Sequence, residues 1–523
     1  MKVLLKVSIF LIITAFQINA QINNIRVSKP SSTTPEEVTI AINPVNPNEL
    51  AAGANISYFY QSVDGGQVWM ESKLNSTLGV WGDPCVVYDT EGSLYFAHLS
   101  NPVVGYWIDR IVVQKSENNG NSWNDGVGVG YRQPKNQDKE WLAVDVTNSP
   151  YRNNIYMTWT EFDDYGSNKS TDSSRIQFSK SSDGGIAWSE PITISDSGGN
   201  CIDSDETVEG AVPAVGPDGE LYVSWAGPKG LMFDKSTDGG NTFGKDIFVS
   251  DIPGGWDFDI PGISRANGLP ITACDISRSQ YRGNVYIMWS DQRNGEQNTD
   301  IFFVKSTDKG ETWSNSVRVN NDATSRQQFF VWMALDSTNG NIYAVFYDRR
   351  NTRSSDTEVY IARSADGGET FTNHKISESS FIPVADVFFG DYTNIAAYKG
   401  KIYPIWMRMD DRKLSVWTAI IEDTQLITSV EKVDAPTQFT LFQNYPNPFN
   451  PSTTIGFALE RSGNVKILIF NSLGERINVL TDRYYDSGNY ELNFDASGLA
   501  SGIYLYEIIT SNFNASRKMV YLR

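Results

Sequence analysis

The stretch KSTDKGETW, Lys305–Trp313, contains the octet S-x-D-x-G-x-T-W, and this octet decides the fold because the chain repeats it. The six copies read SVDGGQVW from Ser62, SENNGNSW from Ser116, SSDGGIAW from Ser181, STDGGNTF from Ser236, STDKGETW from Ser306 and SADGGETF from Ser364. Successive copies start 54, 65, 55, 70 and 58 residues apart. A single local structure is therefore used six times along the chain.

Each octet lies between two patterns of alternating apolar residues, such as DIFFVKS before it and SVRVN after it, so it is predicted to be a hairpin turn. In such a turn, a short Asp or Asn side chain can accept hydrogen bonds from nearby backbone N–H groups. A glycine two residues later can take the positive φ that closes the turn. The terminal Trp or Phe is expected to cover the turn and join the core between repeats.

A second recurring strand lies upstream of each octet and predicts how many repeats there are. Its copies are ELAAGA from Glu49, LYFAHL from Leu94, IYMTWT from Ile155, LYVSW from Leu221, VYIMW from Val285, IYAVFY from Ile342 and IYPIW from Ile402. The period matches one four-stranded propeller blade. The sequence thus predicts an all-β chain with a seven-bladed β-propeller, six blades being the alternative.

The last repeat, from Asp391 to about Glu422, has no octet and lacks an outer strand. The stretch NIRVS, Asn24–Ser28, has the pattern of the missing strand. We therefore expect the N-terminal strand to close the ring by completing the last blade.

The bulk composition excludes several functional classes. The chain has 523 residues, a net charge of −19 and 40% hydrophobic residues, which favours a two-domain globular protein that repels nucleic acid and anionic membranes. Its only histidines, His98 and His374, are too few for a His-rich zinc site and give little support to a Ser-His-Asp triad. Cys201 and Cys274 could form a disulfide, or all three cysteines could be buried thiols.

The two ends of the chain predict export and a second domain. Residues 1–20, MKVLLKVSIFLIITAFQINA, are typical of a signal peptide, an uncleaved membrane anchor being the alternative, and no membrane span is expected after cleavage. A propeller over 21–422 is followed by a polar linker, 423–439. Residues 440–523 contain short alternating strands separated by turn pairs, which predict a small Ig-like β-sandwich.

The C-terminal region resembles the type A C-terminal sorting domain of the type IX secretion system. The motifs that carry the resemblance are YPNPFNP, LGERI, LASGIYLYEI and the final KMVYLR, in that order. The resemblance implies transit through the type IX secretion machinery, and a protein that is secreted or attached to the cell surface of a bacterium of the Bacteroidetes–Chlorobi group.

The octets are similar to Asp boxes, and the chain from about residue 24 to 422 resembles the sialidase-like BNR-repeat propellers. The resemblance implies action on extracellular glycans or glycoproteins, as an exo-glycosidase hydrolase of the exo-α-sialidase type. A non-catalytic carbohydrate- or protein-binding surface propeller and a purely structural surface protein are the alternatives. The R-I-P motif of the first sialidase blade is absent, because that strand reads PEEVTIAI with Glu36 and Glu37.

Candidate site residues come from the loops that enter the first strand of each blade, since these loops form the mouth of the channel. The candidates for catalysis are Asp83, Glu209 and Tyr392; the candidates for substrate binding are Arg132, Arg265, Arg326, Glu140 and Asp391. A Tyr nucleophile requires a carboxylate base, so Glu209 and Tyr392 are predicted to lie within hydrogen-bond reach, with Asp83 on the facing side.

No cofactor is expected, with calcium as the one open alternative. The stretch CIDSDETVE contains clustered acids from Asp203 to Glu209, but it lacks the spacing of an EF-hand loop. A solvated acidic loop is the favoured interpretation.

Overall fold

The computed structural model describes residues 22–428, 439–485, 488–511 and 513–523. The chain divides into two compact units, with the division between Thr428 and Ser429. Residues 1–20, the predicted signal peptide, lie outside the described residues, as do residues 429–438 of the predicted linker.

Residues 22–428 form seven antiparallel sheets of at least four strands, and in six of them strands that follow each other in sequence are neighbours. Strand β1 is Asn24–Arg26, and the first sheet contains β2 (Thr39–Ile42), β3 (Leu50–Ala54), β4 (Tyr58–Ser62) and β5 (Met70–Lys73). The second sheet contains β6 (Cys85–Tyr88), β7 (Leu94–Leu99), β8 (Ile111–Ser116) and β9 (Val127–Val129). The third contains β10 (Asn136–Val144), β11 (Ile155–Phe162), β12 (Ser174–Ser181) and β13 (Ile192–Thr193).

The remaining sheets follow the same pattern. The fourth contains β14 (Glu209–Val215), β15 (Leu221–Gly227), β16 (Gly230–Ser236) and β17 (Ile247–Ser250), and a hairpin follows of β18 (Asp257–Phe258) and β19 (Ala266–Asn267). The fifth contains β20 (Ile271–Cys274), β21 (Val285–Asp291), β22 (Asp300–Ser306) and β23 (Val317–Arg318). The sixth contains β24 (Gln328–Leu335), β25 (Ile342–Asp348), β26 (Glu358–Ser364) and β27 (Thr372–Lys375). The last contains β28 (Asn394–Tyr398), β29 (Lys401–Asp410), β30 (Lys413–Ala419) and β31 (Ile421–Glu422).

The N-terminal strand completes the last sheet, as the sequence predicted. Strand β1 pairs antiparallel with β30, with Asn24 opposite Ala419 and Arg26 opposite Trp417. The first strand of each sheet contacts the first strand of the next, and β28 contacts β2. The four-stranded sheets thus match propeller blades arranged in a closed ring.

The second strands supply the core between neighbouring sheets. All eight residues of β11 are buried, because both of its faces pack against neighbouring sheets. The equivalent tryptophans of four second strands are almost wholly inaccessible to solvent: Trp159, Trp225, Trp289 and Trp406. Such continuous burial explains why these strands read as apolar runs rather than as alternating patterns.

The octets form the turns that their sequence predicts. In the copy from Ser306, the serine Oγ donates to Asp308 Oδ1 over 2.7 Å and accepts from the N–H of Gly310 over 2.8 Å. The N–H of Thr312 donates to the same Asp308 oxygen over 2.9 Å, and Gly310 has a φ of 81°. The terminal Trp313 packs edge-on against Phe233 of the preceding sheet, with ring centroids 5.0 Å apart.

Replacing Asp308 by alanine is expected to lower the free energy of unfolding by about 1–2 kcal/mol, because the backbone N–H of Thr312 loses its acceptor. Asp308→Asn is the matched control, since Asn118 accepts the equivalent bond from Ser122 in the second octet over 2.9 Å. Guanidinium denaturation measures both variants. Equal losses in both variants would contradict the role given to the hydrogen bonds.

The C-terminal unit consists of two sheets around their own core. One contains β32 (Thr440–Leu441), β33 (Ser452–Leu459) and β36 (Gly488–Asp495); the other contains β34 (Gly463–Phe470), β35 (Arg476–Tyr485), β37 (Gly502–Ile509) and β38 (Asn514–Tyr521). Phe457, Ile467 and Tyr506 are buried in this core.

One predicted boundary differs from the described structure, and the structure also decides between the two alternatives left open for the cysteines. Residues 423–428, assigned to the linker from their polarity, form the short helix α1 (Asp423–Thr428); its Leu426 is buried, and Asp423 Oδ2 accepts a hydrogen bond from Arg363 Nη2 over 3.0 Å. The first compact unit therefore ends at Thr428 rather than at residue 422. The three cysteines are free, so the Cys201–Cys274 disulfide does not form.

Candidate functional site

The site lies where the first strands of the sheets begin, and its backbone is unusual there. A residue with left-handed φ stands at this end of five sheets: Glu37 (53°), Asp83 (50°), Lys139 (52°), Gly210 (74°) and Phe330 (52°). The register of β10, β14 and β24 shifts at the last three of these positions. Such bulges redirect side chains and occur frequently beside active sites, where backbone strain is retained for function.

Four of these residues, all except Glu37, line a small pocket with a cavity volume of about 50 Å³. Four of the predicted site residues line it: Asp83, Glu140, Asp391 and Tyr392. One wall is aromatic, because the Trp141 and Trp332 ring centroids lie 4.2 Å apart and both rings lie within 6 Å of Tyr392. The pocket thus brings together predicted residues that come from the second, third and last sheets.

Lys139 is the central cation of the pocket. Its Nζ lies 2.6 Å from Asp391 Oδ2 and 3.5 Å from Asp83 Oδ2. Glu37 Oε1 is 3.9 Å away on a third side. Burial disfavours the charge on Lys139, but these carboxylates hold its pKa well above the ordinary value.

Arg265 is the second cation, and the β18–β19 hairpin delivers it to the mouth. Its Nε donates to Asp391 Oδ1 over 3.2 Å, and its Nη2 donates to Asp391 Oδ2. Its Nη1 donates to Asp203 Oδ2 over 2.9 Å. The Asn267 side-chain amide also donates to the main-chain carbonyl of Asp391 over 3.0 Å.

The carboxyl groups of the site have opposite pKa shifts. Burial alone would raise the pKa of Asp391, but Lys139 and Arg265 lie so close that this pKa falls well below its usual value. Burial, and then the charge of Asp83, raise the pKa of Glu140 well above its usual value. The surroundings therefore favour the ionised form of Asp391 and the protonated form of Glu140.

Two buried polar groups that line the pocket have no hydrogen-bond partner among the described residues. These are the Tyr392 hydroxyl and both oxygens of the Glu140 carboxyl. Buried groups of this kind are normally satisfied by protein or water, so an unpaired pair that faces a cavity is available to a ligand. Burial, followed by the charge of Asp83, raises the pKa of Tyr392 well above its usual value, so its phenol is protonated.

The expected Glu209–Tyr392 pair is wrong. No hydrogen bond joins the two residues in the described part of the chain, and Glu209 lies beside Asp203 and Asp138 instead. Burial and those two acids raise the pKa of Glu209 well above its usual value. Glu140, Asp83 and Asp391 line the pocket with Tyr392, whereas Glu209 does not line it, although Glu140 and Glu209 each lie at a register shift, in β10 and in β14.

The three candidate arginines do not converge on the pocket: none of them lines it, and Arg265 contacts its wall residue Asp391. Arg132 donates from Nη2 to the main-chain carbonyl of Pro191 over 2.7 Å. Arg326 donates from Nη2 to the carbonyl of Ser354. Both guanidinium groups are held by neighbouring loops, whose paths are not encoded in the strand patterns.

Sequence reasoning missed Lys139, Trp141 and Trp332. Lys139 and Trp141 flank the predicted Glu140. In the first strand that contains VWMALD, residues 331–336, Trp332 occupies the position equivalent to Trp141. The aromatic residue at the same position in two first strands was an available signal. The left-handed backbone of Lys139 could not be predicted, since nothing in QDKEW, residues 137–141, requires a bulge.

The acidic stretch considered for calcium is used differently. Tyr165 donates to Asp203 Oδ2 over 2.5 Å, and the N–H of Asp257 donates to Asp205 Oδ1 over 2.8 Å. Within the described ranges, no group of three or more His, Cys, Asp or Glu residues has a geometry that could hold a metal ion.

Protonated acids at the mouth predict a pH dependence of stability. Burial, and then Asp83, raise the pKa of Asp138 to about 8. The folded state therefore holds a proton that the unfolded state loses above about pH 4, so the contribution of Asp138 to stability falls as the pH rises toward 8. We expect Asp138→Asn to lose less stability between pH 5 and pH 8 than the unmodified protein. Denaturation at each pH measures the stability of both proteins. An equal loss of stability between pH 5 and pH 8 in Asp138→Asn and in the unmodified protein would contradict this prediction.

A comparison with protein families identifies the C-terminal region. Residues 443–521 match the family described as the secretion system C-terminal sorting domain. The protein carries a type IX sorting tail. It is therefore a secreted or cell-surface protein, as the motifs from YPNPFNP to KMVYLR predicted. No helix in the described residues is long and apolar enough to cross a membrane.

No curated protein sequence matches the chain. Among solved structures, the chain is similar to a sialidase from Streptococcus pneumoniae, with 9% identity, a TM-score of 0.43 and coverage of 74% of this chain and 83% of that one. It is also similar to an α-L-arabinanase from Penicillium chrysogenum, with 13% identity, a TM-score of 0.41 and coverage of 77% and 98%. A sialidase from Trypanosoma rangeli has 12% identity, a TM-score of 0.42 and coverage of 95% and 88%.

Proposed function

We propose that the protein is a secreted or surface-attached glycoside hydrolase, built as a seven-bladed propeller with a small Ig-like sorting domain. Its active site is the pocket at the channel mouth, where it removes sugars from the ends of extracellular glycans. The observation that carries the proposal is the Glu140 carboxyl, which is buried and unpartnered and lines the same pocket as Asp83 and Tyr392. We infer the reaction from this site, because the fold alone does not determine it.

The carboxyl groups of Glu140 and Asp83 have different roles in the proposed reaction. Glu140, whose raised pKa favours the protonated form, acts as the general acid that protonates the departing glycosidic oxygen. Asp83 Oδ2 accepts no hydrogen bond in the described structure and serves as the second carboxylate, either as nucleophile or as base for water. The Tyr392 hydroxyl donates a hydrogen bond that orients the sugar.

The aromatic side chains suit a sugar ligand, because the apolar faces of sugar rings pack on flat aromatic surfaces. Trp141 and Trp332 form one wall of the pocket. Asn136, the first residue of β10, donates to the carbonyl of Trp107, an exposed residue whose ring contacts Tyr165 at a centroid distance of 5.4 Å. Trp107 therefore offers a platform for further sugars beside the mouth.

A non-catalytic carbohydrate-binding propeller is the second candidate. The cavity of about 50 Å³ favours it, since hydrolysis requires a whole sugar ring to enter and the walls would have to open. A glycan array with the purified full chain, run alongside turnover of 4-nitrophenyl glycosides, separates the two. Turnover supports the hydrolase, and binding without turnover supports the second candidate. The absence of both binding and turnover would overturn both candidates.

Export should depend on the C-terminal unit. We expect deletion of residues 440–523 to abolish delivery to the cell surface or medium and to leave the propeller inside the cell envelope, because the sorting tail is then missing. Fractionation of the native host with an antibody against the propeller measures this. Undiminished surface delivery of the truncated chain would contradict the prediction.

A further inference from the structure

We infer that the mouth pocket takes uncharged sugars and excludes sugars that carry a carboxylate, sialic acid among them. This inference rests on the proposed function, and names the substrate class of the same site. It comes from the way in which two cations are already used: Lys139, which lines the pocket, and Arg265, which donates to the wall residue Asp391.

A carboxylate ligand needs a guanidinium or ammonium group with free donors. Each of the three nitrogens of Arg265 already donates to an acid: Nε and Nη2 donate to Asp391, and Nη1 donates to Asp203. The Nζ of Lys139 contacts Asp391 and lies within 4 Å of Asp83 and Glu37. Three of the five N–H groups of Arg265 and the ammonium of Lys139 are thus committed to acids of this chain, so an incoming anion would have to compete with Asp391 and Asp203 for these cations.

The remaining groups around the cavity make an anion still less favourable. Glu37 occupies the first inner strand, and its side chain accepts a hydrogen bond from Asn55. Arg132 and Arg326, which could have supplied charge, donate to main-chain carbonyls elsewhere. An entering carboxylate would lose its hydration without gaining a partner, and it would face the charges of Asp83 and Asp391.

An uncharged sugar meets suitable partners in the same place. The protonated Glu140 carboxyl can donate and accept, and the Tyr392 hydroxyl has no other partner among the described residues. Sugar hydroxyl groups satisfy both of these without displacing an ion pair. The pocket's ion pairs thus hold the walls together, rather than binding the ligand.

The test compares hexosides with the hexuronides that differ from them only at C5, where a hydroxymethyl group is replaced by a carboxylate. We expect the full chain to bind or turn over at least one 4-nitrophenyl hexoside at least about 100-fold better than its hexuronide, which corresponds to about 2.8 kcal/mol. A sialoside should bind no better than the hexuronides.

A variant tests the cause of the selectivity. Asp203→Asn removes the negative charge that pairs with Nη1 of Arg265, and asparagine tolerates the left-handed φ of 65° at this position. We expect Asp203→Asn to lower the ratio of hexoside to hexuronide binding or turnover about tenfold. Asp196→Asn, which removes a surface partner of Lys245, should leave this ratio unchanged. Preference for the hexuronide or the sialoside would overturn the inference and leave the hydrolase proposal standing. Failure of every sugar to bind would overturn both, and an unchanged preference in Asp203→Asn would overturn the assigned cause.

Discussion

Replacing Lys139 by methionine is expected to lower the free energy of unfolding of the larger unit by about 3–5 kcal/mol. The substitution keeps much of the side-chain volume but removes the cation that stands between Asp391, Asp83 and Glu37. These acids belong to the first, second and last sheets, so their repulsion acts across the ring. Removal of one partner from a buried ion pair leaves the other charge uncompensated, which is costlier than loss of the pair.

Urea denaturation of the full chain at pH 7 measures this effect. Lys245→Met is the matched control, because Lys245 pairs with Asp196 at the surface over 2.7 Å with an 88% exposed side chain. The control should leave the free energy of unfolding close to that of the unmodified protein, because a surface ion pair contributes little. A loss of less than about 1 kcal/mol in Lys139→Met would contradict the central role of this cation.

Glu140→Gln is expected to lower kcat/KM for an unactivated glycoside by about 10²–10⁴-fold, since the departing oxygen no longer receives a proton. The loss should be much smaller for a 2,4-dinitrophenyl glycoside, whose leaving group needs no proton. The fold should be retained, because neither Glu140 oxygen has a hydrogen-bond partner in the described structure and the neutral amide has nearly the same shape.

Kinetics with both leaving groups distinguish an acid from a residue that only shapes the pocket. A structural role would lower both rates equally. Glu206→Gln is the control, since Glu206 is an exposed glutamate on the loop that precedes β14 and does not line the pocket. Equal losses for the two leaving groups in Glu140→Gln would exclude general acid catalysis by this residue.

The fold was predictable because its signals are local and repeated. An octet such as Ser306–Trp313 contains all the groups of its own turn: the hydroxyl, the carboxylate and the glycine. The closing strand β1 could be placed because one repeat lacked an outer strand and NIRVS had the matching pattern. Neither inference required knowledge of how distant loops fold.

The site was predictable only in part, because it depends on loop paths and on bulges. Asp83, Glu140 and Asp391 were found since they directly precede or begin first strands. Arg132 and Arg326 lie in similar positions, but their loops turn them toward main-chain carbonyls. The ion pairs of the mouth join residues up to 252 positions apart, and strand periodicity gives no information on such contacts.

The proposed site is tested most directly by a crystal structure of the full chain soaked with the oligosaccharide that binds best on the array. The account predicts density for a sugar ring at the channel mouth, with hydroxyl groups within hydrogen-bond distance of Glu140 and Tyr392 and one face against Trp332. The Lys139–Asp391 and Arg265–Asp391 pairs should remain intact. A sugar bound elsewhere while the mouth stays empty would contradict the account, as would a ligand carboxylate in place of Asp391 on Arg265.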